Sequence, residues 1–538
     1  MDHYHAQFLL PQPQANPECP VQDAKACKQW LSSISLINVA PAQLQLLSLL
    51  RQQNDSELVP RERLKILEML REPVAMVQEE LAKKYLNRPL PFHEEHLQQW
   101  ELVCELWRAM QAGYRLVLQA ALQGDLEALE YGPFAGQRAL YNLGRWFSEF
   151  HATYRQVPPS GWHTLHEIYR EIEARGWAGK RLKDTLQEGL PYTTPMAAYC
   201  HVLMVELSNP SQMTVRQFRF VDGLLSRWSL KLNVTAAAPE ARLPPLQVDL
   251  AGGSPARSLP LHDAAQPRYI DRDPVVASLA KRIKMLRDGS DWDVADLGDD
   301  LVAAGGVQLL SQLYRLWSEK GDRVFPRRQA TEEVEIGGDW PRIYAQLSGR
   351  LFEVPKETKE IRASGMADFQ LFGRRASETF REGGDHTLHL PALEGWSLQD
   401  ESASGLRLQA EQTGQQWLQH QLVMIRRARV PDTLGIVRRL QLAGINEVEL
   451  GVQLLAGQPT AAVVSATGVQ SLTIQPQPAV FLPDVPSLLQ LATVMVPVGV
   501  FQVERVLEAQ LPDGVRRFKL QALQERGSNY ESYRFSWV

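Results

Sequence analysis

The 538-residue sequence predicts a multidomain α + β protein: an α-helical first part, then an antiparallel β-barrel region followed by further strands. Three observations carry that prediction. The chain is too long for one core, because single hydrophobic cores stop growing near roughly 250–300 residues. Apolar residues in the first part recur every three or four positions, as on one face of a helix. From about residue 332 the period becomes two, as in strands with one buried face. Hydrophobic residues make up 44% and charged ones 22%, a balance that excludes a disordered or fibrous chain.

Residues 1–25 carry no period and are expected to form a flexible tail. Residues 26–235 read as an irregular, helical-repeat-like domain. Trp100, Val103, Trp107, Met110, Tyr114 and Val117 form one stripe, and Trp162, Leu165, Ile168, Tyr169 and Ile172 another. Gly176 ends the second of these helices, and Asn209-Pro210-Ser211 is expected to open the helix carrying Val215, Phe218, Val221 and Leu225. The Trp162-x-x-Leu165-x-x-x-Tyr169 spacing is similar to the first helix of a tetratricopeptide repeat, without a recurrence of roughly 34 residues.

Residues 236–270 are rich in Pro, Ala and Gly and read as an interdomain linker. Residues 271–322 read as a helical pair leading into the barrel. Asp273-Pro274 supplies an N-cap and first turn, Val276, Leu279, Ile283 and Leu286 face inward, and Leu309, Leu313, Leu316 and Trp317 form the second stripe.

Residues 323–460 then form a barrel, with strand-like runs at WSLQD, GLRLQAE, QLVMIRRA, LGIVRRLQL and the alternation Val448, Leu450, Val452, Leu454. Residues 461–538 supply additional strands, enough for a second barrel: AAVVSA, LTIQ, AVFLP and a final hairpin around Pro512-Asp513-Gly514.

Two short elements in this half carry chemistry. RVFPRR places guanidinium groups at Arg323, Arg327 and Arg328, and DESASG places a carboxylate, a hydroxyl and a glycine at Asp400, Ser402 and Gly405. An RxxxR spacing arises by chance roughly once or twice in such a chain, whereas [D/N]xSxxG arises about 0.1–0.3 times and is therefore selective. With these elements, residues of about 320–460 resemble the PilZ domain family, which binds cyclic di-GMP through an RxxxR element ahead of a β-barrel and a [D/N]xSxxG element on its early strands. The run LGIVRRLQLAGINEVELGVQLLAG is similar to the strand pair that ends such barrels.

The resemblance implies cyclic di-GMP as ligand, with Arg323, Arg327 and Arg328 as a clasp and Asp400, Ser402 and Gly405 as a platform. The residue types suit it. Arginine meets phosphate bidentately, grips the guanine O6/N7 edge or stacks on the base. A carboxylate accepts from guanine N1–H and N2–H2, a serine adds a short contact, and glycine permits a close or left-handed backbone. The two elements lie about seventy residues apart, wider than in the family, and an insertion of about 345–393 separates them. A plainer reading also stands, with RVFPRR a solvated basic helix stop and DESASG a polar turn.

The chain is expected to be non-catalytic: it has no P-loop, no GxSxG elbow and no GxGxxG after a strand. No cofactor is expected. His93/His96, His163/His166 and His386/His389 lack a third ligand, so no metal is assigned. Cys19, Cys27, Cys104 and Cys200 read as reduced thiols. A net charge of −5 supplies no field for general DNA or RNA binding, and no apolar run spans a bilayer, so a cytoplasmic protein without membrane insertion is expected.

Two functions follow from these readings. One is a cyclic di-GMP receptor or adapter in bacterial second-messenger signalling, whose helical half presents a protein-partner surface and whose family context is motility, pili, exopolysaccharide or biofilm. The other is a protein-interaction scaffold with a degenerate PilZ-like domain that binds no nucleotide.

Overall fold

The computed structural model describes residues 13–14, 19–186, 190–289, 297, 306–318, 328–352, 391–443, 447–467, 474–488 and 490–538. The chain divides into two compact units, Met1–Val324 with Gln441–Ile445, and Phe325–Leu440 with Asn446–Val538.

The first unit is helical: α1 (Ala24–Ser33), α2 (Val39–Asn54), α3 (Pro60–Ala82), α4 (Glu94–Leu122), α5 (Leu126–Ala152), α6 (Pro159–Ala174), α7 (Pro195–Leu207) and α8 (Val215–Trp228). The stripes predicted on α4 and α6 are buried along their whole length. The turn between α4 and α5 uses Gly124 at φ +94°, after which the Asp125 carboxylate accepts from Ala128 N at 2.9 Å and caps α5. The start of α8 differs from expectation. Pro210–Gln212 is a separate 3-10 turn, and the helix opens at Thr214, whose hydroxyl accepts from Gln217 N while Gln217 Oε1 accepts from Thr214 N. This reciprocal capping box outweighs the proline signal.

Residues 236–270 are not a free linker. β1 (Val234–Thr235), β2 (Leu246–Asp249) and β3 (Pro267–Ile270) form a sheet in the order β1-β3-β2, and Leu246, Val248, Leu250 and Ile270 join the helical core. The Asp249 carboxylate accepts from Ala251 N, Ala265 N and Gln266 N at 2.8–3.1 Å, so one side chain supplies the partners that a Pro- and Gly-rich stretch lacks. His166 adds a tether, donating from Nε2 to Ser254 O and accepting from the Tyr199 hydroxyl, both at 2.9 Å. Burial pushes its pKa down to about 4, and the ring is neutral.

The expected tail is also ordered at its end. Cys19 and Val21 are buried, Gln53 donates to Val21 O, and the Asp23 carboxylate caps α1.

Helices α9 (Asp273–Arg287) and α10 (Gly306–Ser318) complete this core, with Trp317 fully buried and donating to Ser208 Oγ. Asp273 is not the N-cap of α9. Its carboxylate accepts instead from Arg242 N and Leu243 N, and Asp271 accepts from Asp273 N.

The second unit holds two closed antiparallel barrels. The first comprises β4 (Arg328–Gly337), β5 (Glu394–Ser402), β6 (Gly405–Ala410), β7 (Leu422–Arg427), β8 (Val430–Ala443) and β9 (Glu447–Leu454), in the order β4-β5-β6-β9-β8-β7. The second comprises β10 (Thr460–Ala466), β11 (Gln477–Leu482), β12 (Thr493–Pro497), β13 (Val506–Leu511), β14 (Gly514–Arg526) and β15 (Tyr530–Trp537), in the order β10-β11-β12-β15-β14-β13. Numbered from its own first strand, each barrel reads 1-2-3-6-5-4, so the second repeats the connectivity of the first.

The barrels share a core. Helix α11 (Trp340–Ser348), between β4 and β5, contributes Trp340 and Ile343 to a cluster with Leu422, Met424, Leu434 and Ile436 of the first barrel and Val480, Leu482, Met495 and Tyr530 of the second. Asn529, in the β14–β15 turn, locks the seam: its side chain accepts from Leu422 N and donates to Gly338 O, and its carbonyl accepts from Trp340 Nε1. Of the expected insertion of about 345–393, residues 353–390 lie outside the described residues.

Candidate functional site

The β5–β6 hairpin is the site's scaffold. Its two-residue turn, Ala403-Ser404, brings Ser402 opposite Gly405, so DESASG spans the end of one strand and the start of the next. Ser402 Oγ donates to Gly405 O at 3.4 Å, a weak closure. Gly405 serves a close approach and not a left-handed turn: a Cβ there would lie 3.0 Å from Val452 O of the neighbouring β9.

A β-bulge aims Asp400. Leu398 faces Leu408 and Asp400 faces Arg407, so β5 advances two residues while β6 advances one, and Gln399 is the extra residue. Residues opposite one another share a face, and the bulge therefore carries Asp400 off the core face of Leu398 and Leu408 onto the face of Arg407. A regular ladder would set Asp400 across from Leu406.

On that face Arg407 Nε lies 3.0 Å from Asp400 Oδ2, an ion pair whose angle does not align a hydrogen bond, with the carboxylate side chain 6% exposed and the arginine 32%. The charges continue across the sheet. Arg407 Nη1 is 3.8 Å from Glu449 Oε2 on β9, and Glu449 Oε1 is 3.5 Å from Arg439 Nη1 on β8. Gly451, opposite Arg407, leaves room for the passage, since a Cβ there would lie 2.9 Å from Arg439 Cβ.

Arg328 opens β4 in register with Glu401, its Nε 3.9 Å from Glu401 Oε1 and its side chain 84% exposed. Arg323 and Arg327 lie outside the described residues, as do His386 and His389. Glu401 is also held by Arg427, whose Nη2 donates to Glu332 at 2.7 Å and to Glu401 at 2.9 Å. The Glu332 bond lifts the Arg427 guanidinium above its usual range against the opposing effect of burial.

The motif thus brings Asp400, Ser402, Gly405 and Arg328 to one end of the β4–β5–β6 sheet. A shallow depression of about 330 Å³ beside the β4 bulge is lined by Thr331, Glu332, Glu333, Gly395, Trp396 and Ser397, and its two carboxylates do not suit a phosphate. An open apolar cleft of about 660 Å³ in the helical unit, lined by Leu64, Met69, Tyr131 and Phe134 among others, carries none of the motif. Sequence reasoning missed Arg407, Glu449 and Arg439. They occupy the polar positions of alternating strands, a signal that marks an outward face without saying which strands adjoin.

A family model described as the N-terminal domain of the cyclic-di-GMP receptor FimW matches residues 25–240, and one described as the FimW C-terminal β-barrel domain matches residues 462–538. A curated relative, "Cyclic-di-GMP receptor FimW" of Pseudomonas aeruginosa, is 25% identical over 349 residues, 64% of this chain and 57% of the relative. The chain thus covers little more than half of that relative's length. It is similar to FimW in its helical first part and its second barrel, and the barrel that carries DESASG lies between the two matched domains.

Proposed function

We propose that this chain is a non-catalytic cyclic di-GMP receptor or adapter whose first barrel is of PilZ type, with Arg323, Arg327 and Arg328 closing on ligand seated at Asp400, Ser402 and Gly405. The observation that carries the reading is the bulged β5–β6 hairpin of a closed barrel, which presents a carboxylate beside a serine and a close-approach glycine directly across from the start of β4. The curated name of the FimW relative supports the same ligand.

The chemistry is consistent with it. A guanine Watson–Crick edge offers N1–H and N2–H2 to a carboxylate, while the bridging phosphates call for arginine forks. The helical unit is the surface offered to a protein partner, and the protein works in the cytoplasm in second-messenger control of motility or biofilm. Among the described residues no helix is long and apolar enough to cross a membrane.

Calorimetric titration of the full chain with cyclic di-GMP tests the reading. Micromolar or tighter binding, abolished in Arg327→Ala and in Asp400→Ala with the fold intact by circular dichroism, is expected; no heat at roughly 100 μM ligand overturns it.

The scaffold reading is favoured by one observation: Asp400 is already engaged by Arg407. It predicts partner capture that is identical with and without cyclic di-GMP, and unchanged in Asp400→Ala.

A further inference from the structure

The pair that the bulge creates has a role beyond neutralising a carboxylate. Asp400 is nearly enclosed, 6% exposed, and a carboxylate so placed calls for a cation beside it. Arg407 supplies that cation from the adjacent strand, in register, and is itself steadied at its other end by Glu449 and through it by Arg439. The charges alternate across four strands, negative on β5, positive on β6, negative on β9 and positive on β8. Each member limits the swing of the next. A carboxylate offers about four lone-pair directions, so an arginine on Oδ2 orients the group without exhausting it.

We infer that Arg407 is a positioning residue for guanine recognition: by holding the Asp400 carboxylate on the outward face of the β5–β6 hairpin, it sets how strongly the site reads the 2-amino group of the base. This rests on the proposal that cyclic di-GMP binds at Asp400. Arg407 itself is assigned no contact with ligand. Its effect passes through the carboxylate, which must point both oxygens along the N1–H and N2–H2 edge to accept from both.

The test compares cyclic di-GMP with cyclic di-IMP, which lacks both 2-amino groups and keeps O6, N7, N1–H and the phosphates. Titrations of the full-length wild type are expected to show a preference of about tenfold or more for the guanine ligand, the size of one hydrogen bond to a charged group. In Arg407→Met that preference should collapse to about threefold or less, while Arg407→Lys, which retains a cation but not the fork, should restore part of it. A role in folding alone would weaken both ligands by the same factor and leave the ratio unchanged, and that outcome overturns the inference.

A wild-type ratio near one overturns it as well, because Asp400 then does not read the amino group. Where Arg407→Met misfolds by circular dichroism, Arg407→Lys decides: a ratio below wild type supports the inference, an equal ratio defeats it. If the wild type binds neither ligand, the receptor reading itself falls; if it binds both with the expected preference and the variants keep that ratio, the receptor reading survives and the role of Arg407 does not.

Discussion

The two barrels share one connectivity and put the same face to opposite uses. In the first, strands two and three are β5 and β6, and their outward face carries Asp400, Ser402 and Arg407. In the second they are β11 and β12, where Ala479, Phe481, Val494 and Val496 point into the barrel and Val480, Leu482 and Met495 point out. Those outward residues are buried against α11 and the first barrel. The equivalent connection is longer too: β5 and β6 meet in a two-residue turn, whereas β11 and β12 are joined by residues 483–492 with no acid, serine and glycine at the motif's spacing. A fold offers positions; the residues placed there decide between a polar site and an apolar seam.

The largest test of that contrast puts a charge in the seam. Val480→Asp should cost about 3–5 kcal/mol or leave the barrel unit unfolded, because the carboxylate enters an apolar cluster without a partner. Ser402→Asp, at the partly exposed end of the first barrel's β5, should shift stability by less than about 1 kcal/mol. Urea denaturation followed by tryptophan fluorescence measures both, and comparable losses would show that the two faces are not electrostatically different.

Next in size is the Asp400–Arg407 pair. Arg407→Met leaves a nearly enclosed carboxylate without this partner and should destabilise by about 1–3 kcal/mol, visible as a lower urea midpoint.

The seam should also respond to pH. His420 accepts from Arg438 Nη1 at 3.0 Å, with Glu525 and Tyr530 of the second barrel close by, and burial together with the Arg438 charge lowers its pKa. A base whose folded pKa is depressed takes up protons more readily when unfolded, so its contribution is present above the ordinary histidine range and is lost as pH falls through it. The wild-type midpoint should therefore drop between pH 7.5 and 5.5 by more than that of His420→Gln; parallel drops would refute the assignment.

The smallest effect belongs to the second barrel's surface pair Arg517–Glu508, 3.5 Å apart and 65% and 41% exposed. Arg517→Met should change stability by no more than about 0.5 kcal/mol, screened further by salt.

What was legible in the sequence follows from the range over which each signal acts. The α4 and α6 stripes, the alternation of β9 and the DESASG hairpin are local patterns, and each lies where its period places it. The sheet within 236–270 was hidden because its strands are two to four residues long, and its order comes from one aspartate and a histidine far away in sequence. Proline at 210 gave a stronger local cue than Thr214-x-x-Gln217 and yet begins only a 3-10 turn. In the site, Asp400 and Ser402 were visible as a motif, whereas the Asp400–Arg407–Glu449–Arg439 chain depends on a bulge and on which strands adjoin. A one-residue slip at Gln399 would dissolve it.

The seam at Asn529 has a practical corollary for anyone wishing to isolate the site. A fragment ending after β9 would retain every strand of the first barrel, yet it would strip the cover from Leu422, Met424, Leu434, Ile436 and Trp340, and leave Leu422 N and the Trp340 indole without the acceptors that Asn529 provides. Such a piece would present a sticky apolar patch to its own copies. The smallest portable form of the DESASG hairpin therefore includes the second barrel through β15, which acts toward the first as a built-in chaperone.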